Sequence, residues 1–339
     1  MSLNGSDAGV PYTAFAQLLE SQTLDAEAAA RFRAIMVREG ADETTLLQLG
    51  GQAPARWFRE VYPDLDADQA THLGHAFADQ AQLTSFGPLS LPLISAGSVA
   101  EVMELLTYLP LITTAVSTRF HPNDDGLAVG LTGQTGDPDL DCLVVTYCGS
   151  ALLRLIRMLA GDVSTVRLHT SWPAPASTTQ HEDALGGHLV FNAPMTFLYV
   201  PTEVLNEVCR FSDPVAYRHA IADLSKSLEH RIGPASYATK VRLSIDEGPG
   251  LKTCQSVANE LSISTSTLKR RLLNEGTTFR EILESSLLER ASLKLLDRSL
   301  SVSEIAVELG FSDLTNFSHA FKRWTGQSPS QFRQECLRW

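Results

Sequence analysis

A run of three basic residues, Lys269 to Arg271, lies in the segment TSTLKRRLLN, which has the composition of a short helix. Leu268 and Leu272 are four residues apart, so they share the face of that helix that turns toward a core. Lys269 and Arg270 then lie on the outward face, where such side chains can hydrogen-bond to guanine O6 and N7. The segment therefore predicts a helix that reads base edges in a DNA major groove.

The neighbours of this pair divide into base-reading and phosphate-binding candidates. Ser266 lies on the same outward face and is predicted to contact bases. Arg271 stands beside the core position Leu272 and is predicted to bind a phosphate, where it adds salt-dependent affinity without sequence information. The alternative, in which Lys269, Arg270 and Arg271 all face phosphates, stays open on sequence alone.

A second outward-facing set follows 49 residues later. Phe317 and Phe321 are spaced four apart and are predicted to point inward. The base-reading candidates of this helix are Thr315, Asn316 and His319, and the phosphate-binding candidates are Ser318, Lys322 and Arg323. Of these side chains, the Asn316 amide suits a base edge best. We therefore expect this helix to contribute mainly backbone contacts and less specificity.

Local signals place the second set on the latter helix of a helix-turn-helix within Ser301 to Arg333. Ser301 and Glu304 have the spacing of a capping box, which begins the first helix. Gly310 is predicted to end that helix, and Gly326 to end the second. Two short helices joined by a tight turn are typical of a helix-turn-helix, whose second helix can enter the major groove.

The same pattern occurs earlier in the chain, where residues 253–261 and 265–274 predict another helix pair. Its inward residues recur 48 or 49 positions later, as Ala258, Leu261, Leu268 and Leu272 and then Ala306, Leu309, Phe317 and Phe321. A long amphipathic helix, Phe279–Leu296, joins the pairs, so we predict seven helices from Tyr237 onward. A rigid joining helix would place two recognition helices in successive major grooves, about 34 Å apart. Ser264 and Thr278 are predicted caps whose helix ends also meet phosphates.

The segment AVELGFSDLTNFSHAFKRWTGQSPSQFR resembles the signature of the AraC/XylS family of bacterial transcription regulators, over the C-terminal third of the chain. The resemblance implies double-stranded promoter DNA and RNA polymerase as partners, a homodimer, and activation as the more common outcome. It also aligns the outward positions of helix 265–274 with the base-reading positions of the family. His319 stands where many members carry arginine, which weakens the expectation of a guanine contact there.

Length and charge divide the chain in the same way. Its 339 residues exceed one typical domain, so two domains are the better expectation. The net charge of −12 is uneven, since residues 1–235 carry −14 and residues 236–339 carry +2. This asymmetry is typical of a regulator with separate sensing and DNA-binding parts, although a simple solubility charge gives the same pattern.

Cysteine spacing and hydropathy indicate where in the cell the protein is located. The five cysteines lack paired spacing and predict reduced thiols in a cytoplasm. The uncharged run Leu105–Thr118 is shorter than the ~20 residues of a membrane-spanning helix, so we expect a cytoplasmic protein with no membrane partner. His72 and His75 have a metal-compatible spacing but no further ligands nearby, so neither a metal site nor a cofactor is predicted.

Residues 12–232 predict an α+β domain without a regular βαβ rhythm. Helical patterns occupy residues 12–79, 98–109, 151–159 and 215–232. Short strands are expected at residues 126–132, 140–147, 166–169, 187–191 and 196–200, the first two forming a hairpin through GQTGDPD. The proline-containing run Leu89–Ile94 is expected to be a loop or an edge segment.

Phrases such as LTSFGPLSLPLISAGSVAEVMELLTYLP resemble the sensor domain of one AraC subfamily, typified by the ornithine-utilisation regulator. The resemblance implies an effector-binding or dimerisation domain that is not the cupin-type β-barrel, and it implies no particular ligand. The predicted architecture is a disordered N-terminus (1–11), the α+β domain (12–232), a linker (233–236) and an all-α domain with two helix-turn-helix units (237–339).

These observations predict a regulator in which effector binding or dimer geometry changes how the DNA-binding domain is presented. No effector-binding residue is assigned. Two alternatives stay open: a regulator without a ligand that is controlled by its abundance or a protein partner, and an enzyme fused to a DNA-binding domain. The enzyme requires a cluster of catalytic or metal-binding groups in residues 12–212, which the sequence does not reveal, so no catalytic residue is predicted.

Overall fold

The computed structural model describes residues 8–21, 23–42, 51–161, 163–175, 188–231, 236–247 and 251–336. The chain forms two compact units, Met1–Arg231 and Ile232–Trp339. Most of the predicted linker, residues 233–235, lies outside the described residues, as do residues 1–7 of the predicted disordered N-terminus. The first unit mixes helices with a small sheet and the second is helical throughout its described part, which confirms the predicted fold class.

The first unit is built mostly from short helices. Its described α-helices are α1 Tyr12–Glu20, α2 Ala26–Glu39, α3 Arg56–Val61, α4 Ala67–Asp79, α5 Ser90–Ser95, α6 Val99–Glu104, α7 Pro138–Ala160, α8 Thr202–Leu205 and α9 Pro214–Arg231. Two 3₁₀ helices, Leu83–Leu89 and Leu105–Leu111, accompany α5 and α6. The side chains of Asp25 and Asp66 accept hydrogen bonds from the first-turn amides of α2 and α4, which fixes where these helices begin.

The strands of the first unit form two sheets. They are β1 Gly9–Pro11, β2 Gln52–Pro54, β3 Val116–Asn123, β4 Gly126–Gly133, β5 Arg167–His169, β6 Leu189–Val190 and β7 Phe197–Pro201. β1 and β2 pair with each other, and the others form an open sheet in the order β3-β4-β7-β5-β6. The prediction of disorder for residues 1–11 is wrong at its end, because Val10 pairs with Ala53 and the Gly9 amide donates to Thr114.

The predicted strand at residues 140–147 is wrong, because these residues belong to α7. Asp137 caps that helix by accepting from the amides of Asp139 and Leu140, and Pro138 occupies the first helical turn, where its missing N–H costs nothing. A continuous apolar run has no period that separates a buried strand from a buried helix. β4 instead forms its hairpin with β3, through Asp124 and Asp125.

The run Leu89–Ile94 is helical rather than a loop or an edge strand. Pro88 lies in the 3₁₀ helix and Pro92 in the first turn of α5, a position that tolerates proline. Ser98 caps α6 by accepting from the Glu101 amide, as its spacing predicts, but the α-helix ends at Glu104 and continues as the 3₁₀ helix.

The core of the first unit is organised around α7. Of the described helices, α7 is the one long and apolar enough to cross a membrane, and 72% of its most apolar stretch is buried within the protein. Such burial is typical of the central helix of a globular core. α4 packs closely along it, and a Cβ added at Gly74 of α4 would lie 2.7 Å from Thr146 Cβ. Glycine at this position therefore permits the close contact.

The second unit consists of seven described helices, as the sequence predicts. They are α10 Tyr237–Glu247, α11 Cys254–Glu260, α12 Thr265–Asn274, α13 Phe279–Leu296, α14 Val302–Glu308, α15 Leu314–Thr325 and α16 Pro329–Cys336. The predicted caps are confirmed at Ser264 and Thr278, as is the capping box of Ser301 and Glu304. Gly326 ends α15 in the left-handed conformation, with φ 81°.

The internal repeat extends to the backbone of the two turns. In the first turn the Ser262 and Ile263 amides donate to Asn259 and Ala258, and the matching bonds recur 48 residues later at Gly310 and Phe311. Both turns need a left-handed residue: Ser262 has φ 55° and Gly310 has φ 85°. Ser262 pays a steric cost there that Gly310 avoids, because its Cβ crowds the neighbouring carbonyl.

We therefore predict that Ser262→Gly stabilises the first helix-turn-helix. Relief of the left-handed strain should raise the free energy of local opening by about 0.5–1 kcal/mol, net of the added chain entropy. Native-state hydrogen exchange of the α11 and α12 amides measures this free energy in the full chain. The matched variant Gly310→Ser should lower the corresponding value for α14 and α15, and unchanged exchange in both variants would contradict the prediction.

Candidate nucleic-acid interface

The outward face of α12 is set by two buried leucines. The Ser264 hydroxyl accepts from the Thr267 amide and begins the helix, while Leu268 and Leu272 are fully buried. Lys269 and Arg270 are consequently exposed, and within the described part of the chain neither makes an ion pair or a hydrogen bond. The exposed residues of this face are Ser266, Lys269 and Arg270. The two cations are available to an anionic or hydrogen-bonding partner.

Arg271 differs from its two basic neighbours. Its guanidinium lies over the Tyr237 ring, 4.2 Å from the ring centroid, and the side chain is half-buried. Such a contact between a cation and an aromatic face is attractive, so Arg271 links α12 to α10 within the unit. Glu275 at the end of α12 strengthens the same junction by accepting from the backbone amides of Tyr237 and Ala238.

α15 presents a different outward surface. Phe317 and Phe321 are fully buried, and Thr315, Asn316 and His319 are exposed. The Asn316 amide donates to Ser312 Oγ and to Asp313 Oδ2, each at 2.8 Å. Because these bonds use both amide hydrogens, Asn316 must exchange a partner before it can donate to a base. This geometry reduces its fitness for base reading in the unbound conformation.

The phosphate-binding candidates of α15 also differ in their partners. Lys322 is exposed and has no ion-pair partner in the described residues, whereas Arg323 donates to Glu284 of α13 at 2.9 Å. Ser318 is half-buried. Glu284 also pairs with Arg280, so it lowers the net positive charge of this region.

α13 positions the two helix pairs relative to each other. It contacts α10 on one side and α14, α15 and α16 on the other. Ile282, Leu287 and Leu295 are buried along its inward face. At its start, the Thr278 hydroxyl accepts from the Glu281 amide while the Glu281 carboxylate accepts from the Thr278 amide. One continuous, well-capped helix therefore connects both outward faces.

Two charged groups of this surface were not assigned from the sequence. Arg298 is exposed between α13 and α14 and has no ion-pair partner in the described part of the chain. The sequence feature that could have identified Arg298 is its position just before Ser301, the cap of α14. The backbone amides at the start of that helix are also available to a phosphate. Asp313, which caps α15, places a negative charge at the helix end that would enter a groove.

The first unit contains an apolar cavity beside α7, for which the sequence assigned no residues. It consists of two adjoining spaces with cavity volumes of about 40 and 50 Å³. Val10, Pro11, Ser85, Val144 and Tyr147 line both. Concave spaces lined mainly by apolar side chains are where small molecules usually bind in proteins.

Two family models match the chain. One, described as a helix-turn-helix domain, matches residues 257–335. The other, described as the N-terminal arabinose-binding domain of the AraC transcription regulator, matches residues 65–208. Together the two matches span more than half of the chain.

Curated relatives cover both units. The HTH-type transcriptional regulator VqsM of Pseudomonas aeruginosa is 25% identical over 264 residues, which are 74% of this chain and 80% of the relative. The ornithine utilization regulator of the same organism is 28% identical over 187 residues, 55% of each chain. The transcriptional activator AggR of Escherichia coli is 35% identical over 97 residues, 28% of this chain and 37% of the relative.

Two helix-turn-helix units on one joining helix, with exposed cations on a recognition helix, define a DNA-binding transcription regulator. The chain belongs to the AraC family, with an N-terminal domain of the arabinose-binding-like type. Both resemblances read from the sequence, to the AraC/XylS signature and to the ornithine-utilisation regulator subfamily, are confirmed.

The Asp313 cap predicts a pH dependence of α15. The backbone amide of Asn316 donates to the Asp313 carboxylate and holds the pKa of that group below its usual value. The stabilisation is therefore complete above the unfolded pKa of about 4 and is lost as the pH falls through the lower folded pKa. Hydrogen-exchange protection factors of the α15 amides should fall between about pH 5 and about pH 3 in the wild type.

Asp313→Asn is the control for this pH dependence. Asparagine caps a helix about as well as aspartate but does not titrate in this range. Its protection factors should stay constant over the same interval. An equal fall in both proteins would contradict a role for the Asp313 charge.

Proposed function

We propose that the chain recognises promoter DNA mainly through α12, with Ser266, Lys269 and Arg270 reading base edges. The observation that carries this proposal is a pair of exposed cations, on the second helix of a helix-turn-helix, that have no ion-pair partner among the residues the structure describes. Lysine and arginine contacts to guanine are the commonest specific contacts in the major groove. Arg271 holds α12 against α10 through its contact with Tyr237. Its positive charge is still available to attract a DNA phosphate.

α15 contributes chiefly affinity in this proposal. Lys322 and Arg323 bind phosphates, together with Ser318 and the helix ends capped by Ser264 and Thr278. Thr315 and His319 are exposed for base contacts, and Asn316 joins them once it releases Asp313 or Ser312. Arg298 is an added phosphate candidate. The ion pair between Arg323 and Glu284 would have to open or share its charge on binding.

The first unit serves as the sensor in this proposal, and ligand binding changes how the DNA-binding unit is presented. The internal cavity supports this over the alternative of a regulator controlled only by abundance or a protein partner. The protein acts in the cytoplasm by binding rather than catalysis. Because the relative AggR is named an activator, we propose activation of transcription, with RNA polymerase as the downstream partner.

We further propose that the regulator is a homodimer formed through its first unit. Val208, Phe211 and Val215 lie within eight residues of chain and are 71%, 56% and 66% exposed. Backbone hydrogen bonds from Cys209 to Gly97 and from Asp213 to Ser95 hold this segment against the domain. A fixed cluster of exposed apolar side chains is typical of a protein interface. A dimer would read two asymmetric sites.

Arg270→Ala tests the assignment of α12. On a site recovered by genome-wide mapping of bound DNA, the variant should lose about 1–3 kcal/mol of binding free energy, with little loss on random DNA. Binding titrations across a salt series measure both quantities. Arg218→Ala, an exposed arginine of α9 in the first unit, removes the same charge and should bind like the wild type.

The opposite pattern assigns a different role to Arg270. If affinity falls equally on both DNAs and the salt slope drops by about one, the side chain binds only a phosphate. Base reading would then rest on Ser266 and Lys269 or on α15.

Phe211→Asp tests the dimer surface. Burying a carboxylate in an apolar interface is unfavourable, so the variant should sediment as a monomer at concentrations where the wild type is a dimer. Val37→Asp provides the matched control, since Val37 is 83% exposed on α2 and lies outside the proposed surface. A variant that remains dimeric would remove this surface from the proposal.

A further inference from the structure

The cavity of the first unit consists of two spaces that adjoin each other beside α7. The two spaces that compose it share five lining residues, of which Val144 and Tyr147 belong to α7. One space extends between α1 and α4, where Phe15 and Phe77 line it. The other extends along α7 to Leu155 and is lined on another side by residues of the two 3₁₀ helices.

The lining is almost entirely apolar. None of the described lining residues carries a charge. Two of the polar groups that line it are already paired: the Ser85 hydroxyl donates to Gln17 and accepts from the Gln82 amide, and the Thr113 hydroxyl donates to the Gly9 carbonyl. A charged ligand would enter without a counter-ion, at a cost of several kcal/mol.

Two lining residues, Tyr147 and the exposed Gln80, carry a hydroxyl or amide group without a partner among the described residues. Tyr147 lies where the two spaces meet, and its hydroxyl makes no hydrogen bond with any described residue. Burial raises its pKa, so the hydroxyl stays neutral and keeps a proton to donate. The Tyr147 side chain is half-buried, and a tyrosine hydroxyl withdrawn from bulk water usually has a partner. An oxygen of a bound molecule would supply one.

We infer that this cavity binds a small, uncharged and largely apolar molecule whose single hydrogen-bonding oxygen pairs with the Tyr147 hydroxyl. This inference specifies the ligand of the proposed sensor. It rests on the proposed function only for the effect that ligand binding has on DNA binding. The apolar body of the ligand fills the spaces on either side of Tyr147. The neighbouring Cys148 thiol also lines the cavity and adds a soft, neutral contact.

This ligand class differs from those suggested by the names of related proteins. A sugar such as arabinose carries several hydroxyl groups, and the lining offers too few unpaired polar groups, Tyr147 and Gln80, to replace the hydration of all of them. Ornithine carries both an ammonium and a carboxylate group, and the described lining offers no counter-charge. The chemistry of this cavity is therefore unlike that of a sugar or amino-acid site.

Fluorescence of diphenylhexatriene, a neutral hydrocarbon that emits in apolar sites, measures occupancy in the full chain. The probe should bind, and 1-nonanol, with one hydroxyl on an apolar chain, should displace it. L-Arabinose and L-ornithine at equal concentration should not displace it. Ala151→Phe, which adds a ring to the wall of the larger space, should abolish probe binding while circular dichroism stays unchanged.

Tyr147→Phe separates the hydrogen bond from the apolar contacts. Removing one neutral hydrogen bond should weaken 1-nonanol binding about two- to tenfold and leave diphenylhexatriene binding unchanged. Because Tyr147→Phe preserves the shape of the side chain, it tests the hydrogen bond from Tyr147 to the ligand even if Ala151→Phe fails to fold. An equal effect on both molecules, or none on 1-nonanol, would overturn the role of Tyr147.

Two further results would overturn the ligand class itself: no probe binding, or displacement by arabinose or ornithine in preference to 1-nonanol. DNA affinity measured in the same samples keeps the inference separate from the proposed function. If 1-nonanol binds as expected but leaves DNA affinity unchanged, the cavity assignment is supported and ligand control of DNA binding fails.

Discussion

Burial of one pair of side chains on each recognition helix determines the DNA-facing surface. Leu268 and Leu272 fix the rotation of α12, and Phe317 and Phe321 fix that of α15. Rotation of either helix would expose these side chains, each worth roughly 1.5–3 kcal/mol of burial. Since the outward residues follow from the inward ones, the core determines which polar side chains can meet DNA.

The two units use a central helix in different ways. In the second unit α13 is amphipathic, and its capped, continuous course holds two helix pairs at a fixed separation. In the first unit α7 is buried along most of its length, yet it leaves a cavity at Tyr147. α13 thus holds the two helix pairs rigidly for DNA binding, whereas α7 forms a core that has room for a small molecule.

The second unit was largely predictable because its information is local. Capping residues such as Ser301 and Thr278, and apolar pairs at helical spacing, act within a few residues of chain. The strand predicted at residues 140–147 failed because a buried apolar run has no distinguishing period, and only the cap at Asp137 marks the helix. The contact of Arg271 with Tyr237 and the cavity at Tyr147 depend on residues distant in sequence, so local patterns could not reveal them.

The most direct test of the account is a chemical footprint of one protomer on a recovered site, by guanine-N7 methylation protection and hydroxyl-radical cleavage. A rigid α13 predicts two protected major-groove patches about ten base pairs apart on one face of the DNA. The patch contacted by α12 should include protected guanines. A single patch, or two patches on opposite faces, would contradict the claim that α12 and α15 occupy successive grooves.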